Sequence, residues 1–339
     1  MRRYLLAAAC AAAILSASGA KKQEAADWKR TAVESVNEET ARAHIGFLAA
    51  DEFEGREAGY AGGRLAGKYC EAYLRSLGLP GAGTEGYGQP FEAYRTERQK
   101  RGRYTVHPDS IARLREGVHQ RLQLRNVLAK IEGKRADEFV VVGAHFDHIG
   151  MDPLLDGDKI YNGADDNASG VAAVLQIARA LKESGIQPER TIIFALWDGE
   201  EKGLLGSEYF MQTWGDPKRI KGYLNFDMIG RNNDESRPEH VVYFYTEAHP
   251  AFEQWLRRDI EKYGLRLQPD YRAWDRPIGG GDNGSFAKRD VPVIWYHTDG
   301  HPDYHMPGDH ANKINYPKTV DITRAALLNV IDLANAADY

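Results

Sequence analysis

Cysteine is almost absent from this chain of 339 residues, which contains only Cys10 and Cys70. If Cys10 is removed with an amino-terminal leader, Cys70 has no partner and no internal disulfide can form. The residues around Cys70 favour a small apolar side chain buried in a helix. Metal sites built from thiolates are excluded by the same shortage.

Long apolar runs are also lacking. The longest, residues 5–15, follows Arg2 and Arg3 and precedes the small residues Ser18, Gly19 and Ala20. It is too short for a bilayer, which takes about 20 apolar residues. The pattern predicts a signal peptide over residues 1–20, no integral membrane span, and export to the periplasm or the medium. A lipoprotein anchor on Cys10 is the less favoured alternative, because cleavage there would leave only a stub of apolar core.

No excess of one charge stands out, since 49 acidic and 44 basic residues give a net charge of -5. The densest basic stretch, residues 98–103, is short and lacks interleaved aromatic residues, so we expect a solvated loop and no nucleic-acid partner. Ordinary hydrophobic and charged fractions predict a globular protein. We expect residues 21–339 to form one catalytic domain, with no inserted domain in the 34 residues between Phe91 and Asn126.

Apolar patterning alternates between two periods along the chain. Apolar residues have helical spacing over residues 38–50, 62–77 and 170–181. One strand-like run starts at Phe91, and five others cover residues 126–131, 139–144, 191–196, 222–228 and 291–296. This alternation predicts an α/β fold in which helices cover both faces of a mainly parallel central sheet. Ligands of such sheets bind at the carboxyl ends of the strands.

Acidic residues and histidines follow these strands. They are His145 and Asp147, Asp165 and Asp166, Glu200 and Glu201, Asp227, and Asp303, His305 and Asp309. Each pair alone fits a polar turn or an acidic helix cap, but five such segments at one sheet edge favour a site. Two imidazoles and three or four carboxylates suffice for two metal ions that share a carboxylate. This donor chemistry suits zinc, with cobalt or manganese as possible substitutes.

The segments AHFDH, NGADDNASG, DGEEKGLLGS, NFDMIG and YHMPGD, in this order, resemble a known family. It is the zinc exopeptidase family (clan MH) of secreted leucyl aminopeptidases, glutamate carboxypeptidases and glutaminyl cyclases. The likeness runs from about Glu38 to the carboxyl end. It implies a three-layer α/β/α fold of the phosphorylase/hydrolase-like exopeptidase type and a pair of co-catalytic zinc ions.

The resemblance also implies residue roles. The metal ligands would be His145, Asp165, Glu201, Asp227 and His305, with Asp165 bridging both ions and a cis peptide between Asp165 and Asp166. Glu200 would be the general base that activates a metal-bridging water, and Asp147 would orient His145. Asp166, Asp282 and Tyr304 would lie around the ligands or line the pocket. One departure is Asn283, which replaces a histidine that many relatives carry.

The favoured interpretation is an aminopeptidase that acts on peptides with a free amino terminus, because the ligand sets implied for both zinc ions are complete. A single-zinc glutaminyl cyclase is the main alternative, followed by a carboxypeptidase or dipeptidase. A binding protein that lost its metals would lack ligands. Four further histidines without an assigned role, predicted to be surface or loop residues, are His148, His297, His301 and His310.

Overall fold

The structure, a computed structural model, describes residues 28–96, 103–274 and 280–339. The predicted signal peptide and nearly all of the basic stretch at 98–103 lie outside these ranges. Among the described residues, no helix combines the length and the apolar character needed to cross a membrane.

An eight-stranded mixed sheet forms the centre of the molecule, with strand order β1-β2-β6-β3-β7-β10-β8-β9. The neighbours β6, β3, β7 and β10 are parallel, whereas β1 and β2 form an antiparallel pair and β8 runs antiparallel to β10. The strands are β1 (Gly88–Thr96), β2 (His119–Ile131), β3 (Arg135–His145), β6 (Arg190–Trp197), β7 (Ile220–Phe226), β8 (His240–Tyr245), β9 (Gln268–Ala273) and β10 (Val293–His297). A separate small hairpin pairs β4 (Gly150–Met151) with β5 (Ile160–Tyr161).

Helices cover both faces of this sheet, as predicted. They are α1 (28–35), α2 (Glu38–Leu48), α3 (Ala61–Ser76), α4 (Pro108–Arg115), α5 (Gly170–Glu183), α6 (Leu205–Thr213), α7 (Ala251–Tyr263), α8 (Asn283–Ala287) and α9 (Tyr316–Asn335). The side chains of β3 alternate between two cores: Val140 and Val142 pack with α5 and α9, and Val141 packs with α6 and α8. A strand buried on both faces is therefore a continuous apolar run, which made it visible in the sequence.

Several predicted elements have the expected positions. Helix α3 ends just before Gly78, whose φ of 67° suits a residue without a side chain, and Cys70 is fully buried within that helix. In contrast, β2 begins seven residues before the predicted strand, and its added part pairs with β1. There, buried Leu122 and Leu124 alternate with exposed polar residues. This period-2 pattern of a half-buried hairpin is weaker than a continuous apolar run.

The central strand β3 positions the site. Its neighbours β6 and β7 follow it in the chain but lie on opposite sides of it. At such a switch point the connecting segments diverge and leave a crevice beyond the carboxyl ends of the strands. His145 is the last residue of β3 and lies at this point.

Candidate metal centre

The segment after β3 brings three polar side chains into the crevice. His145, Asp147 and His148 are all buried. The Nδ1 atom of His145 lies 3.1 Å from the carbonyl oxygen of Asp147. The Asp147 carboxylate accepts hydrogen bonds from the backbone N–H groups of Glu200 (3.0 Å) and Glu201 (3.2 Å). Asp147 thus contacts His145 through its carbonyl group and, with one carboxylate oxygen 3.7 Å from Nδ1, through its side chain as well. The same carboxylate fixes the loop after β6.

In the turn before α5, two adjacent aspartates direct their carboxylates to different partners. Oδ1 of Asp165 accepts a hydrogen bond from the N–H of Gly230 at 2.6 Å. Oδ1 of Asp166 lies 3.3 Å from Nε2 of His145, and its Oδ2 lies 3.2 Å from Nε2 of His305. Asp166, not Asp165, therefore lies between the donor groups. The assignment of Asp165 as the shared residue is wrong by one position.

The cis peptide is displaced by the same single residue. It joins Asp166 to Asn167 and not Asp165 to Asp166. One carboxylate oxygen of Asp309 accepts the N–H groups of Asp165 (2.9 Å) and Asp166 (3.0 Å), which anchors the turn.

The first donor group consists of His145, Asp166 and Asp227. Asp227 follows β7 directly, and one of its oxygens lies 3.7 Å from Nε2 of His145. His145 is 2% exposed and Asp227 is 7% exposed, so solvent has little access to the side chains of this group.

The second donor group is made mainly by loops. Nε2 of His305 lies 3.2 Å from Oε2 of Glu201 and 3.2 Å from Oδ2 of Asp166. His305 has a φ of 55° and a side chain that is 38% exposed. Asp166, Glu201 and His148 also form a set of possible metal donors.

Glu200 faces the same crevice. It lines a small cleft of about 110 Å³ together with His145, Asp166, Asp227, Met228, Gly280, Trp295, His297, Gly300, Tyr304 and His305. Tyr304 stacks on His305, with ring centroids 3.9 Å apart, and lines this cleft. Asp282 is buried close to this cleft, and Asn283 accepts a hydrogen bond from the Asn225 side chain.

The unassigned histidines divide into two classes. His148 and His301 lie in loops but are buried, so neither is a surface residue. His148 contacts Glu201, and Nε2 of His301 lies 3.2 Å from Oδ2 of Asp165. His297 lines the cleft and His310 pairs with exposed Asp158.

Arg56 is a buried residue that the sequence analysis missed. It donates hydrogen bonds to the carbonyl oxygens of Phe146 (2.9 Å) and Gly163 (2.8 Å), and further bonds to those of Leu48 and Asn162. The guanidinium thereby joins the segment after β3 to the turn that carries Asp166. No local pattern marks such a residue, because three of these four partners are more than 80 positions away.

Charges in the site strongly influence one another. Burial raises the pKa of Glu200 well above its ordinary value, in spite of nearby His145. Burial would lower the pKa of His145, but Glu200 and the surrounding carboxylates outweigh it and raise the pKa well above 6.5. Burial also raises the pKa of Asp282 to about 7. The metal-free cluster therefore holds protons where cations would otherwise balance the carboxylates.

The donors fit metal ions. Two three-residue groups, His145–Asp166–Asp227 and His148–Asp166–Glu201, each bring their donor atoms within 4.8 Å of one another, and both include Asp166. Crowded buried carboxylates repel one another unless cations compensate them. Imidazole with carboxylate is a donor set that suits zinc.

Comparison with known proteins identifies the family. A sequence model of Peptidase family M28 matches residues 126–330. Leupeptin-inactivating enzyme 1 of Streptomyces exfoliatus is 31% identical over 170 residues, which is 50% of this chain and 34% of that protein. Leucine aminopeptidase 2 of Trichophyton equinum is 31% identical over 179 residues, or 50% of this chain and 32% of that protein. The match thus spans about a third of the length of these curated relatives.

Solved structures show the same fold. An aminopeptidase from Aneurinibacillus sp. strain AM-1 superposes with a TM-score of 0.67 at 16% identity, covering 91% of this chain and 97% of that one. A glutaminyl cyclase from Fimbriiglobus ruber gives 0.66 at 17% identity, covering 88% and 95%. Both activities therefore occur on this fold.

Proposed function

Because the chain belongs to peptidase family M28, we propose that it is an exported two-zinc aminopeptidase that hydrolyses the amino-terminal peptide bond of peptides. The observation that carries this proposal is the position of Asp166 between two donor groups, with Glu200 beside them. The leucine aminopeptidase among the curated relatives supports it. The amino-terminal leader pattern supports export.

His145, Asp166 and Asp227 would hold one ion, and Asp166, Glu201 and His305 the other. Bound zinc ions would polarise the scissile carbonyl group and increase the acidity of the attacking water, and cobalt or manganese could replace them. The side chains of Met228 and Trp295 provide an apolar wall on which the terminal residue of the substrate would pack.

Glu200 would transfer the proton. Its carboxylate takes a proton from the attacking water and donates it to the nitrogen of the leaving amine. Burial and the neighbouring Glu201 raise the pKa of Glu200 in the metal-free protein. Bound cations would lower this pKa again and leave the carboxylate free to accept the proton. Its backbone N–H is fixed by Asp147 at 3.0 Å.

A glutaminyl cyclase is the second candidate, because a cyclase shares the fold with a TM-score of 0.66. A cyclase would need one zinc, whereas this chain offers donors for two ions, since Nε2 of His305 lies 3.2 Å from both Asp166 and Glu201, beside the group of His145, Asp166 and Asp227. A carboxypeptidase would need a cation to bind the substrate carboxylate. The described residues that line the cleft include no lysine or arginine.

The test combines metal analysis with two assays. Purified protein is supplied with a panel of amino-acid arylamides and with an amino-terminal glutamine peptide, before and after chelation and zinc restoration. We expect two zinc ions per chain and arylamide cleavage that is lost on chelation and recovered with zinc. One zinc with ammonia release from the glutamine peptide would instead support the cyclase.

A further inference from the structure

His148 contacts the second donor group without an assigned role. Its side chain is fully buried, and its Nδ1 atom lies 2.8 Å from Oε1 of Glu201. The other oxygen of Glu201, Oε2, faces Nε2 of His305 at 3.2 Å. The two oxygens of one carboxylate thus have different partners.

The contact between His148 and Glu201 is shorter than the contacts among the proposed ligands. Two ligands each about 2.1 Å from a tetrahedral zinc lie roughly 3.4 Å apart. The pairs His145–Asp166, His305–Asp166 and His305–Glu201, at 3.3, 3.2 and 3.2 Å, are close to this spacing. The pair His148–Glu201, at 2.8 Å, has the length of a hydrogen bond.

The surrounding backbone holds the imidazole in place. The N–H of His148 donates to the carbonyl oxygen of Arg56 at 3.1 Å. The ring lies against Gly163, where a Cβ atom would be 2.5 Å from Cδ2 of His148. Nε2 of His148 is buried without a hydrogen-bond partner among the described residues. A proton on Nδ1, donated to Glu201, is therefore the arrangement that leaves no buried N–H unpaired.

From this geometry we infer that His148 is a positioning residue for the second metal site: its Nδ1–H binds Oε1 of Glu201 and directs Oε2 toward the ion. The inference rests on the proposed two-metal function. Partners that orient a metal-binding carboxylate or imidazole typically change metal affinity by about 10–100-fold when removed. Among the described residues of the first donor group, the ion pairs of His148 reach only Asp166, at 3.9 Å, so the affinity of that group should change little.

The test measures zinc binding to metal-free wild type, His148→Phe and His148→Asn by calorimetric titration. Phenylalanine keeps a ring without a donor, and the asparagine amide restores an N–H near the position of Nδ1. We expect His148→Phe to bind the second zinc about 10–100-fold more weakly. We expect His148→Asn to recover most of that loss. Thermal unfolding of each metal-free variant checks that it is folded.

Cobalt spectra separate positioning from direct ligation. At saturating cobalt, the visible absorption of His148→Phe should match that of wild type, because no ligand is lost. A changed spectrum at saturation would overturn the inference in favour of His148 as a ligand. Unaltered zinc affinities in His148→Phe would overturn it outright, as would failure of His148→Asn to recover binding. A wild-type protein that binds only one ion would reject the two-metal proposal and this inference together.

Discussion

The two donor groups differ in how the fold supports them. His145 ends β3 and Asp227 directly follows β7, two strands that pair in the middle of the sheet. Glu201 and His305 lie on loops, and the His305 side chain is 38% exposed, against 2% for that of His145. One half of the centre is thus built on paired strands and the other on connections between elements.

This difference predicts unequal metal sites. Side chains on paired strands are held more precisely than those on loops, and solvent reaches a half-exposed histidine more easily. We therefore expect the ion at the first group to bind more tightly, and the ion at the second group to exchange first. Asp166 belongs to both groups and couples them.

The largest expected effect is the loss of turnover when Glu200 is replaced. This substitution leaves both metal donor groups intact. Glu200→Gln removes the proton acceptor but no metal donor, so kcat should fall by about 10²–10⁴-fold while zinc content is unchanged. Arylamide kinetics with metal analysis measures both. Glu52→Gln, at an exposed position, is the control. Undiminished kcat in Glu200→Gln would remove Glu200 from the proton-transfer role.

The next test addresses the residue shared by the two groups. Asp166→Asn should bring zinc content below one ion per chain and abolish most activity, because both groups lose a charged donor. Asp165→Asn keeps an oxygen to accept the Gly230 N–H and should weaken zinc binding by roughly 10-fold at most. Metal analysis after exhaustive dialysis distinguishes them. Equal losses in the two variants would contradict the position of Asp166.

Replacing one histidine in each donor group tests whether the two zinc ions can be lost separately. His305→Ala should release the second zinc and keep the first, whereas His145→Ala should weaken the tighter site. Stepwise dialysis against chelator gives the order of release. His310→Ala is a matched control, since that side chain is 39% exposed and pairs with Asp158. If His305→Ala lost both ions equally, the two sites would not be separable.

The smallest effect is a pH dependence of zinc stabilisation. Burial would lower the pKa of His305, but its contacts with Asp166 and Glu201 outweigh burial and raise this pKa to about 10 in the metal-free protein. The protonated ring therefore stabilises the fold fully below about pH 6.5, the unfolded value, and this contribution is lost as pH rises toward 10. Zinc requires the neutral ring.

Zinc should consequently raise the Tm by a few degrees more at pH 8.5 than at pH 6, and His305→Gln should reduce this difference. Scanning calorimetry with and without zinc measures it. A larger zinc effect at pH 6 would have the wrong sign for this account.

The sequence predicted the centre of the fold better than its flanks. Strands β3 and β6 are buried on both faces, so their apolar runs are continuous and easily detected. Strands β8 and β9 and helices α1, α4, α6, α7, α8 and α9 were not identified. In β9, every residue is at least partly exposed, so no apolar run marks it.

Motifs predicted the residue types at the site, but not every position. Asp165 and Asp166 are adjacent and chemically identical, and only the backbone of the turn decides which carboxylate faces the donors. The sequence pattern predicts no role for His148, although this residue follows Asp147 directly. Its burial depends on contacts with Arg56 and Gly163, which local sequence does not reveal.

The most direct test of the central claim is anomalous diffraction at the zinc edge from crystals of the zinc-loaded protein. We predict two peaks on either side of the Asp166 carboxylate, with the peak beside Glu201 and His305 the weaker after brief exposure to chelator. A single peak, or two peaks bridged by Asp165, would contradict the account.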